Sequence, residues 1–300
     1  MTLEQLRIFI EVAEREHLTR ASEALHLTPS AVSSAIRTLE DRYGALLFNR
    51  IGRRIELTGD GHLFLDEARA TVSRAHSAER MLSELGGGKR GMLAIHASQT
   101  IASYWLPPYL AQFHATYPMI DVRLTLGNTE SVTQATQQGL ADIGLVEGAV
   151  QAPALSLRKV GMDQLIVVTR PDHAWRSAGK LTWDSLYQSQ WILREHGSGT
   201  RSVFEDAIRA AGYNPARLDI ALELPSNEAI CSAVLSGNYV TAISELVAAP
   251  HLAAGTLVKA DFSLPQRQFL MLSLNDRYQT KALKSFTDML MREPDMSRTG

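Results

Sequence analysis

Three short stretches beyond residue 90 place hydroxyl, amide and glycine residues directly after apolar runs. They are Ser98-Gln99-Thr100 after MLAIHA, Gly197-Ser198-Gly199-Thr200-Arg201 after WILRE, and Ser226-Asn227 after IALEL. If each run is a strand and each stretch opens a helix, these are the turns beyond the carboxyl ends of an α/β sheet, where small ligands bind. Helix-start N–H groups with hydroxyls and an arginine beside them favour an anion. The expected ligand is therefore an inorganic oxyanion or small carboxylate, held by Ser98, Gln99, Thr100, Gly197, Ser198, Gly199, Thr200, Arg201 and Asn227. Glu147, after DIGLV, would repel an anion unless neutralised; it meets a ligand proton or donor, or it pairs with Arg201 or Arg194. Helix capping alone would explain the hydroxyls of any one stretch, and it is the convergence of three that argues for a ligand.

A second set of polar residues lies near the N-terminus. Thr28, Pro29, Ser30, Ser33, Ser34 and Arg37 fall on the start and one side of a segment whose other side is Ala31, Val32, Ala35, Ile36 and Leu39. Pro29 suits the first turn of a helix, where its missing N–H needs no partner. Before it, Leu3, Leu6, Phe9, Ile10 and Ala13 give a helix from Thr2 to about Glu16, and a short helix from Thr19 to Leu25 is capped by Thr19. Two helices separated only by His26-Leu27-Thr28 make a helix-turn-helix, whose second helix enters a DNA major groove. LLFNRIGRRIELT then reads as a β-ribbon with Arg50, Arg53 and Arg54 near its tip, a wing that meets phosphates. Arg37 reaches either a guanine edge or a phosphate, the phosphate being favoured because more than half of protein–DNA hydrogen bonds go to the backbone. Glu40 and Asp41 are read as structural and facing away from the groove.

These residues need an organised chain to position them. Residues 1–58 form the winged helix-turn-helix, and 59–85 a linker helix whose seam of Leu65, Ala68, Val72, Ala75, Ala78, Leu82 and Leu85 is too narrow to do without a partner chain. The glycine-dense segment 86–91 is a hinge. Residues 92–300 alternate strands with helices, as an α/β domain of largely parallel sheets does; the chain crosses between lobe I (92–162 and 267–300) and lobe II (163–266) near Gly161–Gln164 and Leu264–Arg267.

Other chemistries fare poorly. A net charge of −2 gives no global attraction to a polyanion, so DNA binding rests on the local basic residues. With one cysteine, Cys231, an intrachain disulfide and a two-cysteine redox switch are excluded, and thiol sensing would need sulfenic acid or intermolecular chemistry. The histidines show neither HxxxH nor HExxH spacing, and no metal or other cofactor is expected. HGSGT is not a nucleophile elbow, and phosphate-loop and dinucleotide fingerprints are absent, so an enzyme is not expected. A solute receptor for transport is disfavoured by the lack of a secretory leader, and no run is long and apolar enough for a bilayer; a cytoplasmic protein without membrane contact is expected.

As a set, LEQLRIFIEVAE, LTRASEALHLTPSAVSSAIRTLEDRYGALLFNR, the LT-x-x-G of Leu57–Gly61 and GLADIGLV resemble the LysR-type transcriptional regulators over nearly the whole length. The resemblance implies an N-terminal winged helix-turn-helix plus long linker helix, and a C-terminal α/β two-lobed effector domain like the type II periplasmic binding proteins. It also implies double-stranded DNA as partner, a homodimer through the linker helix, assembly into a homotetramer, and RNA polymerase as a further candidate partner. Many relatives carry glutamine just before Pro29 and a longer polar side chain at Ser34 or Ala35, so base preference does not transfer. REHGSGTRSVFE resembles the subgroup tied to inorganic sulfur metabolism and carbon fixation, which has proline at His196. This points to sulfite, sulfate or a phosphorylated metabolite, with a neutral metabolite as alternative.

Overall fold

The computed structural model describes residues 1–51, 54–85, 91–176, 178–275 and 278–292, and only the backbone of residues 50, 51, 54, 80 and 83–85. Arg53 and hinge residues 86–90 lie outside the described residues, as do the side chains of Arg50 and Arg54. The chain divides into two compact units, Met1–Gly88 with Gln138–Leu140, and Lys89–Gln137 with Ala141–Gly300.

In the first unit α1 (Leu3–Arg15), α2 (Leu18–Ala24) and α3 (Pro29–Tyr43) precede a two-stranded ribbon, β1 (Phe48–Ile51) with β2 (Arg54–Leu57), and the long α4 (Gly59–Leu85). Thr2 and Gln5 cap α1 reciprocally, and the helix stops where Glu16 turns left-handed. The cap of α2 is not Thr19 but His17, whose Nδ1 accepts from the Arg20 N–H at 3.5 Å. Thr19 instead lies inside the first turn and its carbonyl accepts from the Ser22 hydroxyl. The turn into α3 is made by His26 at φ 54°, a left-handed conformation that histidine tolerates better than most side chains. Phe9, Leu6, Val12, Val32, Ile36 and Leu39 form the core of this unit. Leu65, Ala68 and Val72 of α4 join that core, so the first half of the expected intersubunit seam is used within the unit. Leu63 and Leu82 remain about three-quarters and two-thirds exposed, at 75% and 68%. Against α1, Arg69 of α4 pairs with Glu14 at 2.8 Å and His76 meets Arg7 at 2.9 Å.

The second unit contains β3 (Gly91–Ser98), one π-helical turn (Ile101–Trp105), α5 (Pro107–Thr116), β4 (Ile120–Gly127), α6 (Thr129–Gln137), β5 (Ile143–Glu147), β6 (Leu155–Thr169), β7 (Gln190–Arg194), α7 (Gly199–Ala210), β8 (Asp219–Leu224), α8 (Asn227–Ser236), β9 (Val240–Ser244), α9 (Glu245–Ala253), β10 (Val258–Lys259), β11 (Gln266–Leu274) and α10 (Lys281–Met291). Gly91, placed in the hinge by its neighbours' composition, is the first residue of β3. The strand order is β4-β3-β5-β11-β6-β9-β7-β8. Pairs within β4-β3-β5 and within β9-β7-β8 are parallel, whereas β6 and β11 run antiparallel to each other and to their neighbours. The first part of β6 pairs β11 and the part from Leu165 pairs β9. Alternation of strand and helix revealed the parallel parts but not these long antiparallel strands, because a crossing strand has no helix of its own. Separate apolar clusters centre on Phe113, Phe269 and Phe286 and on Trp191, Phe204 and Ile208.

Candidate functional site

A buried polar cluster gathers the ends of β3, β5 and β11 and the starts of α7 and α8. Glu147, last in β5, is 1% exposed. Its carboxylate accepts from the Ser98 hydroxyl and, at 3.5 Å, from Thr200 of α7. Its charge partner is neither Arg194 nor Arg201 but Arg267 of β11, whose Nη1 lies 3.7 Å away and donates to Thr200 Oγ1 at 2.9 Å. The opposite edge of that guanidinium grips Asp163 of β6, with Nε donating at 2.7 Å. Nη2 sits 2.6 Å from the same carboxylate as an ion pair but without hydrogen-bond alignment. Ser244 supplies Asp163 with another hydrogen bond, at 2.8 Å. Asp163 and Arg267 are cross-strand partners where the two long strands meet, so the pair locks their register. Two carboxylates and one guanidinium, all almost fully buried, leave a formal charge of −1 for neighbouring donors to offset.

Asn227, the first residue of α8, is fully buried and gathers the other side of the cluster. Its amide donates to Thr100 Oγ1 at 3.2 Å, its carbonyl oxygen accepts from Arg194 at 3.0 Å, and its backbone N–H donates to Gln99 Oε1 at 2.8 Å. Arg194 is otherwise spent on adjacent Glu195, in two bonds of 2.8 and 2.9 Å. Gln99 also donates to Glu228, which accepts from Tyr104 as well. Ser198 precedes α7 yet does not cap it, and its buried hydroxyl has no partner among the described residues. Gly199 is needed for space: a Cβ there would overlap the carbonyl oxygen of Glu147 and the hydroxyl of Thr129. This close approach puts the α7 N-terminus, whose first N–H groups have no partner within the helix, directly against the end of β5.

Two of the residues expected at an anion site stand apart. Arg201 is directed to Glu205 at 2.8 Å, to Glu223 and to the Arg194 carbonyl at 3.0 Å. Burial works against its charge, but the two carboxylates outweigh burial and raise the guanidinium pKa, while Arg201 in turn lowers that of Glu223. Gly197 adopts φ 84° and borders a separate open groove of about 530 Å³ with Glu130, Thr133, Gln137 and Gln151. His196 is largely exposed, 3.8 Å from Glu223, and burial lowers the pKa of His96. Arg267 and Asp163 were the residues missed by sequence reasoning. Their signal was an isolated charge of each sign at the two places where the chain was expected to cross between lobes.

Cys231 is buried in α8, and burial, aided by Glu228, pushes its thiol up to about 11, which disfavours the reactive thiolate. Among the described residues no three His, Cys, Asp or Glu side chains converge as metal ligands, and no helix is long and apolar enough to cross a membrane.

On the first unit, Thr28 caps α3 by accepting from the Ala31 N–H at 3.2 Å and meets Ser30 at 3.0 Å. Thr28, Pro29, Ser30, Ser34 and Arg37 are exposed and Ser33 is half-buried, so the start of α3 presents a hydroxyl-rich face. Glu40 is structural, accepting from the Leu47 and Phe48 N–H groups at 2.8 and 3.2 Å. Asp41 approaches Arg37 at 3.6 Å in an exposed pair one turn apart on α3. Such a pair is worth less than about 1 kcal/mol and yields readily to a phosphate.

The chain matches two family descriptions: the bacterial regulatory helix-turn-helix protein of the lysR family over residues 3–62, and the LysR substrate binding domain over residues 86–295. It is 33% identical over 290 residues to an uncharacterized HTH-type transcriptional regulator of Escherichia coli K12, covering 96% of each chain. To a probable RuBisCO transcriptional regulator of Cyanidioschyzon merolae it is 30% identical, covering 97% of each, and to the regulator CysL of Bacillus subtilis 29%, covering 82% of each. The crystal structure of CbnR superposes with a TM-score of 0.70 at 20% identity, covering 97% of this chain and 99% of that one. The regulatory domain of Synechocystis CcmR, in complex with 2-PG, superposes with a TM-score of 0.62 at 25% identity, covering 67% of this chain and 96% of its own. Helix-turn-helix, substrate-binding domain and relatives together show that the chain belongs to the LysR family of transcription regulators, binding DNA and a small effector rather than catalysing a reaction, and resembles the relatives tied to sulfur metabolism and carbon fixation.

Proposed function

We propose that the effector is a small anion, an inorganic oxyanion such as sulfite or sulfate or a small carboxylate, held where α7 and α8 begin. The observation that carries this reading is that Ser98, Thr200 and Arg267 gather on buried Glu147 while Thr100 and Asn227 bond each other at the start of α8, with the buried Ser198 hydroxyl at the start of α7 unpartnered among the described residues. Gln99 and Gly199 serve by orienting Asn227 and admitting the close approach of α7; Arg201 and Gly197 are withdrawn from the ligand set. A phosphorylated metabolite is the second reading, favoured by the 2-PG complex of CcmR, whose regulatory domain is 25% identical. At the DNA end, Thr28, Ser30, Ser33, Ser34 and Arg37 face the major groove, Pro29 starts the helix, and Arg50, Arg53 and Arg54 meet phosphates. The regulator works in the cytoplasm as a homodimer through α4, assembled into a homotetramer and in touch with RNA polymerase.

The test is a thermal-shift series with sulfite, sulfate, phosphate and small carboxylates on the full chain and on Thr200→Val. An anion at 100 times its Kd adds about 2.7 kcal/mol of stability. Stabilisation of the wild type but not of the variant supports the site; no stabilisation by any anion overturns it.

A further inference from the structure

We infer that Glu147 makes the site selective for oxyanions that still carry a proton near neutral pH, such as hydrogen sulfite or hydrogen phosphate, over fully ionised ones such as sulfate. The inference rests on the anion site proposed above and concerns which anions it admits. Among the described residues, the side chains paired with the Glu147 carboxylate are all donors: the Ser98 hydroxyl, the Thr200 hydroxyl and the Arg267 guanidinium. That is the surrounding of a carboxylate that only accepts. A carboxylate offers about four acceptor positions. Ser98 fills one at close range, while Thr200 at 3.5 Å and Arg267 at 3.7 Å stand at the far edge of hydrogen bonding. Acceptor capacity therefore remains on a group that is only 1% exposed.

The remaining charges do not relieve Glu147. Among the described residues Arg267 is the one cation paired with it, and Asp163 takes the other edge of that guanidinium at 2.6 and 2.7 Å. Arg194 and Arg201 are committed to Glu195, Glu205 and Glu223. An anion seated at the helix starts therefore meets donors from the backbone, Ser198 and Thr100, and one acceptor, Glu147. An oxyanion bearing a hydroxyl satisfies both kinds of group. A bare one turns a lone pair toward a carboxylate, and the mismatch is repulsive. Sites built to bond a ligand hydroxyl reject the analogue lacking it by about 10⁴-fold.

Calorimetric titration of the full-length protein with sulfite, phosphate and sulfate tests this, at pH values below and above the second ionisation of the first two. The expected result is binding of sulfite or phosphate about 10⁴-fold tighter than of sulfate. Above the second ionisation the affinity for sulfite or phosphate should fall about tenfold per pH unit, since each unit removes that fraction of the protonated anion. Glu147→Gln, which replaces an acceptor by an amide able to donate, should bring sulfate within about tenfold of phosphate. The wild-type pH profile decides the matter even if that variant does not fold. Sulfate binding as tight as that of sulfite and phosphate, or a flat profile for these two, overturns the proton selectivity while leaving the anion site standing. Absence of binding by all three anions overturns the site itself.

Discussion

Arg201 and Arg267 show how little residue type alone says about a buried charge. Both are arginines that sequence and fold bring close to the same helix start, and both are nearly inaccessible, at 7% and 3% exposure. Arg201 follows the hydroxyls directly and so looks like the ligand-binding cation. It sits at the third position of α7, however, where its side chain runs along the helix to Glu205 one turn on and across to Glu223 on β8. Arg267 lies 66 residues downstream by number, on a strand whose neighbours are mostly apolar, and contacts Thr200 and Glu147. The two therefore respond differently to removal. Arg201→Ala leaves half-buried Glu205 with Arg209 alone and Glu223 without its guanidinium, and should cost about 2–3 kcal/mol of stability, while changing anion affinity less than threefold, about 0.7 kcal/mol. Urea unfolding with anion titration of the same variant checks both values, and a large loss of anion affinity in a folded Arg201→Ala would return Arg201 to the ligand set.

At the scale of elements, the site depends on how closely α7 approaches β5. Gly199 allows the approach, because the carbonyl of Glu147 and the hydroxyl of Thr129 occupy the space of a Cβ. Glycine is used here for room rather than for an unusual backbone angle, in contrast to Gly197 with its positive φ. Gly199→Ala must push the helix start away from Glu147; we expect a cost of about 1–3 kcal/mol, as in other overpacked positions. It should also weaken anion binding at least tenfold, since Thr200 and the helix N–H groups move together. Ser202→Ala, one turn into the helix, is the control, expected to leave anion affinity unchanged in the same titration. Much of this was legible in the sequence. The hydroxyl–glycine stretches after apolar runs marked all three helix starts, and the tight spacing around Thr28 and Pro29 marked the helix-turn-helix. Hidden were the parts set by pairing distant segments: the Asp163–Arg267 bond joins residues 104 apart, and no local pattern encodes which strand lies beside which. The His17 cap was missed for a related reason, since hydroxyl side chains outrank histidine as caps in general and only the local backbone decides otherwise.

For the molecule as a whole, one unit carries the helix-turn-helix and the other the buried polar cluster proposed to hold the anion, so regulation requires a coupling free energy between them. The division was suggested by a change of pattern: helical periodicity first, then strand–helix alternation, separated by a run of glycines. How a ligand's effect passes between the units was not legible, because coupling is a difference between two states and neither sequence nor a single structure contains a difference. Thermodynamics nevertheless constrains it. If sulfite or phosphate changes DNA affinity by some factor, DNA must change the anion's affinity by the same factor, and couplings of this kind commonly amount to about 1–3 kcal/mol, or 5- to 150-fold. We therefore expect operator DNA to shift the anion's Kd by the same ratio by which saturating anion shifts the DNA Kd, when both are measured on the full chain at one salt concentration. Salt must be held constant because the phosphate contacts proposed for arginines such as Arg37 would release counterions, which alone can move DNA affinity by orders of magnitude. Thr200→Val, which weakens the anion site without touching the DNA face, should lose both shifts together. Equal shifts that survive in Thr200→Val would place the coupling ligand elsewhere, and unequal shifts in the wild type would mean that a further binding step, such as association of subunits on DNA, enters one titration and not the other.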